Sequence, residues 1–385
     1  MILTTIVLLL CFTYVLLMLL YMVGWYLQQG QSRSATFQGS TFVSVIIPAR
    51  NEAKHIVPLL QSILNNNYPS HLLEVIVVDD YSEDETAALA AGLLNNSQGK
   101  VLALKDYLPV DQRINSYKKK ALEIAIAASK GQLIITTDAD GIVPQNWIAN
   151  IVAVYEREGA KFIAAPVALL SHSRHPIPPV LWLFQSLDFI TMQGITAASA
   201  RLGLGNMCNG ANLAFDKAAF QEVNGYKGID HIASGDDMLL MYKIQQRYPH
   251  GIHYLKSKAA VVQTAAQESW KQFFNQRIRW SSKADQYQEK KMTAILAAIY
   301  AFNLCFPVLM VSGFFDSLYW KLAGIVFCIK IIVELLLLIP VAFFFGKQKE
   351  LWAFPFLQPL HILYILGAGF LGKFGSYQWK DRKVN

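Results

Sequence analysis

Leu133-Ile134-Ile135-Thr136-Thr137-Asp138-Ala139-Asp140 decides how this chain is read. Five apolar or β-branched residues, the composition of a strand buried on both faces, run into two carboxylates one residue apart. The same pattern stands upstream at Val43–Pro48, before Ala49-Arg50-Asn51-Glu52, and at Val75–Val78, before Asp79-Asp80. Helical stretches are expected over 53–66, 83–95 and 118–129, with a further strand at Val101–Leu104. Strand alternating with helix predicts βαβ units, an α/β class and a mostly parallel sheet. Ligands of such sheets bind at the carboxyl ends of the strands, where all three polar clusters fall.

Outside this core the chain changes character. Only 16% of its 385 residues are charged, against about 25% in a typical soluble domain. Residues 1–32 hold no charged side chain, residues 33–291 hold 49, and the last 94 hold 12. Ile2–Leu27 is apolar and exceeds the roughly 20 residues of a bilayer crossing. Its uncharged start and long core favour a retained anchor over a cleaved leader. Apolar runs recur at about 292–314, 318–345 and 351–372, the second carrying Lys330 and Glu334 four apart on one face. That pair is a functional hypothesis or a helix lock. The third run holds Pro355, Pro359 and His361, and an interfacial or re-entrant course is an alternative for it. The expected organisation is an anchor at 1–29, a water-facing domain at 41–285 and membrane or interfacial helices at 292–375. With the middle domain cytoplasmic, three full crossings would put the basic tail outside, against the positive-inside rule.

The net charge of +7 has one cluster, Lys118-Lys119-Lys120, and no basic stripe, which excludes a nucleic-acid partner. Four cysteines without CxxC or Cys/His spacing give neither a zinc site nor a disulfide frame.

Several clusters carry chemistry. Asp138 and Asp140 present oxygens suited to a hard divalent cation that shares substrate phosphates, or form a solvated turn. Asp79-Asp80 at a strand end suits ribose or base recognition, or helix capping with Ser82, Glu83 and Asp84. Ser234-Gly235-Asp236-Asp237 opens the helical run Met238–Arg247, so either carboxylate is a candidate base or a cap. Gln276-Arg277-Ile278-Arg279-Trp280 sets Gln276, Arg279 and Trp280 on one helix face. This segment suits a diphosphate and a stacking wall, or a basic helix on a bilayer surface.

Taken in order, Pro48-Ala49-Arg50-Asn51-Glu52, DD, DxD, GDD and QxxRW span about residues 41–285 between apolar segments. The chain resembles the membrane-bound family 2 glycosyltransferases, a group that includes hyaluronan, chitin and cellulose synthases. The resemblance implies a Rossmann-like GT-A domain, cytoplasmic and flanked by transmembrane helices of the cell membrane. It implies that Pro48, Ala49, Asn51 and Glu52 line the nucleotide, that Asp79 and Asp80 contact uracil or ribose, that Asp138 contacts the nucleotide or sugar and shares the metal, and that Asp140 is the direct ligand of Mn²⁺ or Mg²⁺. Tyr117-Lys118-Lys119 looks like a basic segment facing the phosphates, with Tyr117 where glycine is usual. Asn209-Gly210-Ala211-Asn212 looks like the acceptor-side loop. Asp237, beside Asp236, matches the catalytic base, and Gln276, Arg279 and Trp280 match QxxRW. The implied reaction moves a sugar with inversion from a nucleotide-sugar, UDP-linked by the resemblance, to a lipid, lipid-linked or glycan acceptor, with Gln185–Leu204 as an acceptor-facing region. A processive polysaccharide synthase is the alternative, and an inactive membrane scaffold a second.

Overall fold

The computed structural model describes residues 1–28, 30, 40–95, 98–108, 114–170, 177–205, 207–232, 234–282, 290–374, 377–379 and 382–384. The expected domain end at 285, and Lys380 and Asp381 of the basic tail, lie outside the described residues. The chain divides into two units. One joins Gln29–Ser171 to Asn206–Ala265, and the other joins Met1–Gln28, His172–Gly205 and Ala266–Asn385. The second unit thus takes 172–205 and 266–285 out of the continuous 41–285 stretch.

The helical unit holds α1 (Ile2–Leu27), α6 (Pro179–Leu202), α9 (Trp270–Ser281), α10 (Lys290–Ser312), α11 (Leu318–Phe345) and α12 (Phe354–Phe374), followed by the hairpin β11 (Tyr377–Trp379) and β12 (Arg382–Val384). Four segments, Ile2–Leu27, Lys290–Ser312, Leu318–Phe345 and Gln348–Lys373, are long and apolar enough to cross a membrane. The last is helical through Pro359. Helix α1 packs on α6, α10 and α11. Gly24 is required there, because a Cβ at that position would stand 2.8 Å from the carbonyl of Ala198 on α6. Lys330, buried completely, bonds Glu334 and, at 2.6 Å, the Gln358 amide oxygen. The Gln358 amide nitrogen donates to Glu334 at 2.7 Å, and the Tyr14 hydroxyl donates to the same carboxylate. Three helices are fastened by one closed polar network.

The sheet unit builds a seven-stranded sheet in the order β3-β2-β1-β4-β8-β6-β9. Its strands are β1 (Val43–Ala49), β2 (Leu73–Asp79), β3 (Gly99–Ala103), β4 (Leu133–Thr136), β6 (Phe162–Ala164), β8 (Leu213–Asp216) and β9 (Ile252–Tyr254). The first four in this order run parallel. Strand β8 then pairs antiparallel with both β4 and β6, and β6 pairs parallel with β9. A small second sheet joins β5 (Gly141–Ile142), β10 (Val262–Thr264) and β7 (Val167–Leu169). Helices α2 (Ile56–Leu64), α3 (Thr86–Leu94), α4 (Tyr117–Ala128), α5 (Trp147–Glu158), α7 (Lys217–Glu222) and α8 (Met238–Arg247) complete the unit. Val45, Ile47, Val75, Val77 and Ile135 from the strands meet Leu59, Leu60, Ile63, Trp147 and Ile151 from α2 and α5 in one core. Central strands covered on both faces are mostly apolar, which is why they read as nearly unbroken runs, and the buried exceptions Ser44 on β1 and Glu74 on β2 bond each other.

Candidate active site

Register places the polar clusters together. Ala49 pairs with Asp79, so β1 and β2 end side by side, and the Asp80 amide donates to the Ala49 carbonyl at 2.8 Å. Thr136 pairs with Leu213 on antiparallel β8. The segment preceding β8, Asn209–Asn212, therefore arrives at the edge where β4 delivers Asp138 and Asp140.

The loops after β1 and β2 are knitted to each other. Arg50 donates to the carbonyls of Asp80 (3.0 Å) and Tyr81 (3.2 Å), and the Asn51 side chain accepts from the Glu83 amide at 2.8 Å. Asn51 and Tyr81 hold left-handed conformations (φ 53° and 54°), the sparsely populated kind concentrated at binding sites. Asp79 and Asp80 are buried, and Asp79 Oδ1 has no hydrogen-bond partner among the described residues. At this edge Ala49 is buried and Pro48 partly buried, and Glu52 pairs with His55 at 2.9 Å. The Glu52 hydrogen bond and the Asp140 charge raise the His55 imidazole above its usual value, against its burial. The Tyr117 ring packs edge-on to Tyr81, centroids 6.1 Å apart, which gives the aromatic residue in place of glycine a partner.

Lys118 stands at the centre. Its ammonium lies 2.8 Å from Asp138 Oδ1 and 3.0 Å from Asp236 Oδ2. Burial opposes its charge, but Asp138, Asp236 and Asp237 outweigh that and hold it above the ordinary lysine value. Lys119, one residue on and about 100° around the helix, is buried and donates instead to the carbonyls of Ile229 (2.6 Å) and Ile232 (2.7 Å). The two lysines, paired as phosphate contacts in the sequence reading, are separated by the structure: Lys118 joins the carboxylates and Lys119 fastens the segment before Asp236.

Asp237 caps α8, its Oδ1 accepting from the Met238 amide at 2.7 Å, while Oδ2 accepts from the Gly210 amide at 3.2 Å. A side chain at position 210 would crowd this spot, because its Cβ would lie 3.3 Å from the Lys118 ammonium and 3.4 Å from Asp236 Oδ2. Tyr226, which the motifs do not include, is buried near both carboxylates; burial, then the charges of Asp236 and Asp237, raise its phenol well above the usual value. The acceptor-side expectation divides. Gly210 belongs to the cluster, the Asn209 side chain accepts from the Ala211 amide at 3.0 Å, and Ala211 and Asn212 are buried. Asn212 has its amide committed to Pro166, Ala260 and Trp147, so its place is in the core.

Asp140 receives a bond from the Thr264 hydroxyl at 3.1 Å, a residue missed because β10 is too short to show periodicity. Its carboxyl is pushed up to about 6, first by burial and then by the charges of Asp138 and Glu52. A buried acid beside other carboxylates fits a divalent cation, which would favour its charged form. Among the described residues no three His, Cys, Asp or Glu side chains stand ready to hold a metal. The set therefore fits the kind of site in which one or two carboxylates share the ion with substrate phosphates.

Gln276, Arg279 and Trp280 lie on α9 of the helical unit and are half-buried there. The buried member of that segment is Arg277, 2.7 Å from Asp188 on α6 and stacked 4.1 Å from the Trp280 ring. Arg277 sits one-half turn or more from Arg279 on the helix, and only its partner, 89 residues away, distinguishes the two.

Residues 44–222 match the sequence model of the family described as Glycosyl transferase family 2. They are a family 2 glycosyltransferase domain. The chain carrying this glycosyltransferase domain is 24% identical over 325 residues to the Probable glycosyltransferase YdaM of Bacillus subtilis, covering 76% of this chain and 74% of the relative. It is 30% identical over 122 residues to the Beta-monoglucosyldiacylglycerol synthase of Trichormus variabilis, and spans only 25% of that protein. Among solved structures, the Mannosyltransferase PcManGT from Pyrobaculum calidifontis in complex with GDP-Man and Mn²⁺ superposes with a TM-score of 0.60 at 19% identity, over 96% of this chain and 98% of the other. That likeness shows a shared GT-A fold.

Proposed function

We propose that this glycosyltransferase is an integral cell-membrane enzyme with its catalytic domain in the cytoplasm, transferring one sugar from a nucleotide-sugar to a lipid or lipid-linked acceptor with inversion. The observation that carries the reading is the cluster in which Lys118 joins Asp138 to Asp236 while Gly210 tethers Asp237. A donor-side carboxylate and a base-side carboxylate share one cation there, the juxtaposition that a transfer between donor and acceptor needs.

The nucleoside lies against Pro48, Ala49 and Asp79, whose buried Oδ1 is available to a ribose hydroxyl or base N–H, with Asn51, Glu52 and Asp80 shaping the edge. Asp138 and Asp140 hold the Mn²⁺ or Mg²⁺, which supplies charge neutralisation for the leaving diphosphate when bound. Asp237 takes the proton of the acceptor hydroxyl, worth roughly 10²–10⁴ in rate. The acceptor oxygen forms its bond to the anomeric carbon as the carbon–phosphate-oxygen bond breaks, and the diphosphate departs with the electron pair. Lys118 meets the negative charge that develops. Gln276, Arg279 and Trp280 serve the diphosphate and acceptor by the family pattern. The four apolar helices and the glycolipid-forming relative support a lipid acceptor.

The donor is UDP-linked by the family pattern, while the structural neighbour holds GDP-Man. The test is therefore a panel of labelled UDP- and GDP-sugars with Mn²⁺ or Mg²⁺ on membranes containing the protein, followed by lipid extraction and sizing of the product. A labelled lipid of single-sugar size is expected, lost in Asp140→Asn and Asp237→Asn although both insert in membranes. Full activity of either variant, or no nucleotide release with any donor, refutes the assignment, and a high-mass polymer replaces single transfer by processive synthesis.

A further inference from the structure

Lys118 connects carboxylates that are separate in the reaction just proposed. Asp138 belongs to the donor and its metal, and Asp236 neighbours the acceptor's base, yet one ammonium holds both. We propose that Lys118 is an exchangeable counter-ion: without a donor it occupies an Asp138 oxygen and ties it to Asp236, and an arriving nucleoside diphosphate draws the lysine off, opening that oxygen to the divalent cation. This inference rests on the function proposed above and adds an order and a coupling to it.

Four observations carry it. First, an Asp138 oxygen held at 2.8 Å by an ammonium is shielded from a second cation, and no three acidic or imidazole side chains among the described residues supply an alternative metal site. A metal ion alone therefore meets a site whose charge is partly neutralised already. Second, the bridge is reachable: the side chains of Lys118 and Asp138 are 23% and 37% exposed, unlike the sealed Arg277–Asp188 pair at 2% and 5%. A lysine ammonium is a compact charge on a flexible stem, suited to moving between a carboxylate and a phosphate. Third, Lys119 already fixes the backbone before Asp236 through Ile229 and Ile232, so departure of Lys118 leaves that segment anchored. Fourth, position 210 is glycine, with a would-be Cβ 3.3 Å from the ammonium, which leaves space beside it.

Coupling of this kind is reciprocal: the factor by which a nucleotide tightens the metal must equal the factor by which the metal tightens the nucleotide. Mn²⁺ binding is measured on the full-length protein in detergent from the loss of the free Mn²⁺ electron paramagnetic resonance signal, alone and with UDP or GDP as probes. Nucleotide binding is measured by equilibrium dialysis. In the native protein the better nucleotide should tighten Mn²⁺ by roughly tenfold or more. In Lys118→Gln, Mn²⁺ without nucleotide should bind several-fold tighter than in the native protein, nucleotide without Mn²⁺ should bind weaker, and the coupling factor should fall several-fold, to the part supplied by direct contact of the ion with the diphosphate. Lys118→Arg, which keeps the charge, should restore weak binding of Mn²⁺ alone.

A lysine that only contacts diphosphate would weaken the nucleotide and leave Mn²⁺ alone unchanged, and that result overturns the inference. So does misfolding of both Lys118→Gln and Lys118→Met, seen in tryptophan fluorescence and gel filtration, because a lysine the fold cannot release is a structural clamp. Native protein that binds neither Mn²⁺ nor nucleotide overturns the proposed function itself, whereas a coupling factor undiminished in Lys118→Gln overturns the counter-ion alone.

Discussion

Replacing Asn212 by alanine separates two readings of the same residue. By motif Asn212 belongs to an acceptor-side loop, but the fold buries it completely and spends each end of its amide. Its oxygen accepts from the Trp147 indole at 2.8 Å, and its nitrogen donates to Pro166 (2.7 Å) and Ala260 (2.8 Å). The Pro166 carbonyl keeps the Val262 amide at 3.1 Å when Asn212 is truncated. The indole N–H and the Ala260 carbonyl lose the bonds that Asn212 gives them inside the core, at about 1–3 kcal/mol each, so Asn212→Ala should cost about 4 kcal/mol. For a unit of this size the change corresponds to a fall in Tm on the order of 10 °C. The assay is a tryptophan-fluorescence melt of the full-length protein in detergent, run beside sugar transfer at a temperature well below the transition. The expected pair of results is a large drop in Tm with turnover of the folded fraction within a few-fold of native. An unchanged Tm with abolished transfer would refute the core role and return Asn212 to the substrate.

Three further outcomes follow from the geometry. Asp237→Asn keeps the cap on α8 but removes the proton acceptor, so kcat should fall by roughly 10² or more with donor affinity nearly unchanged, checked by steady-state kinetics and nucleotide binding. Arg277→Met strands the Asp188 carboxylate inside the helical unit and should cost about 3–5 kcal/mol, whereas Arg277→Met with Asp188→Leu should recover most of it, as measured by denaturation in detergent. Burial pushes the Lys256 ammonium down to about 8, so below that pH the folded state carries the full desolvation cost, and between pH 8 and the unfolded value near 10.4 unfolding takes up a proton and stability rises with pH. The Tm of the native protein should therefore rise between pH 8 and pH 10 relative to that of Lys256→Met, which lacks the titrating group, as followed in fluorescence melts.

Much of this was legible in the sequence, for a physical reason. Strands covered on both faces are nearly continuous apolar runs, so β1, β2 and β4 stand out, and the polar clusters that follow them locate the site edge. Strands β5, β7 and β10, two or three residues long, have no period to detect, and Thr264 went unnoticed with them. Neighbouring residues of like charge are the harder case. Lys118 and Lys119, or Arg277 and Arg279, are equivalent in composition, and a helix turns them about 100° or 200° apart. Which one is buried depends on partners far away in sequence, Ile229 in the first case and Asp188 in the second. Asn212 is a related case, since the groups that hold its amide, Trp147, Pro166 and Ala260, all lie far from it in sequence.

Buried charge separates fastening from function in this chain. In the helical unit the Lys330 ammonium and the Glu334 carboxylate satisfy each other, with Gln358 and Tyr14 completing the set. Such a closed network has no group left over for a substrate, and apolar residues of similar volume often replace one without loss of stability. In the sheet unit the balance is open: Asp79 Oδ1 has no hydrogen-bond partner among the described residues, and Asp140 is held high by burial and then by the charges of Asp138 and Glu52, although Lys118 and His55 pair with those two. Open balance at a strand edge is the condition in which an arriving cation and diphosphate gain most. The combined replacement Lys330→Met, Glu334→Leu, Gln358→Leu and Tyr14→Phe should accordingly preserve assembly and leave transfer within a few-fold of native, while Asp140→Asn abolishes it in a protein of native Tm. If removing the whole helical network instead stops transfer without lowering Tm, those four side chains take part in the reaction and the distinction between closed and open charge fails for this molecule.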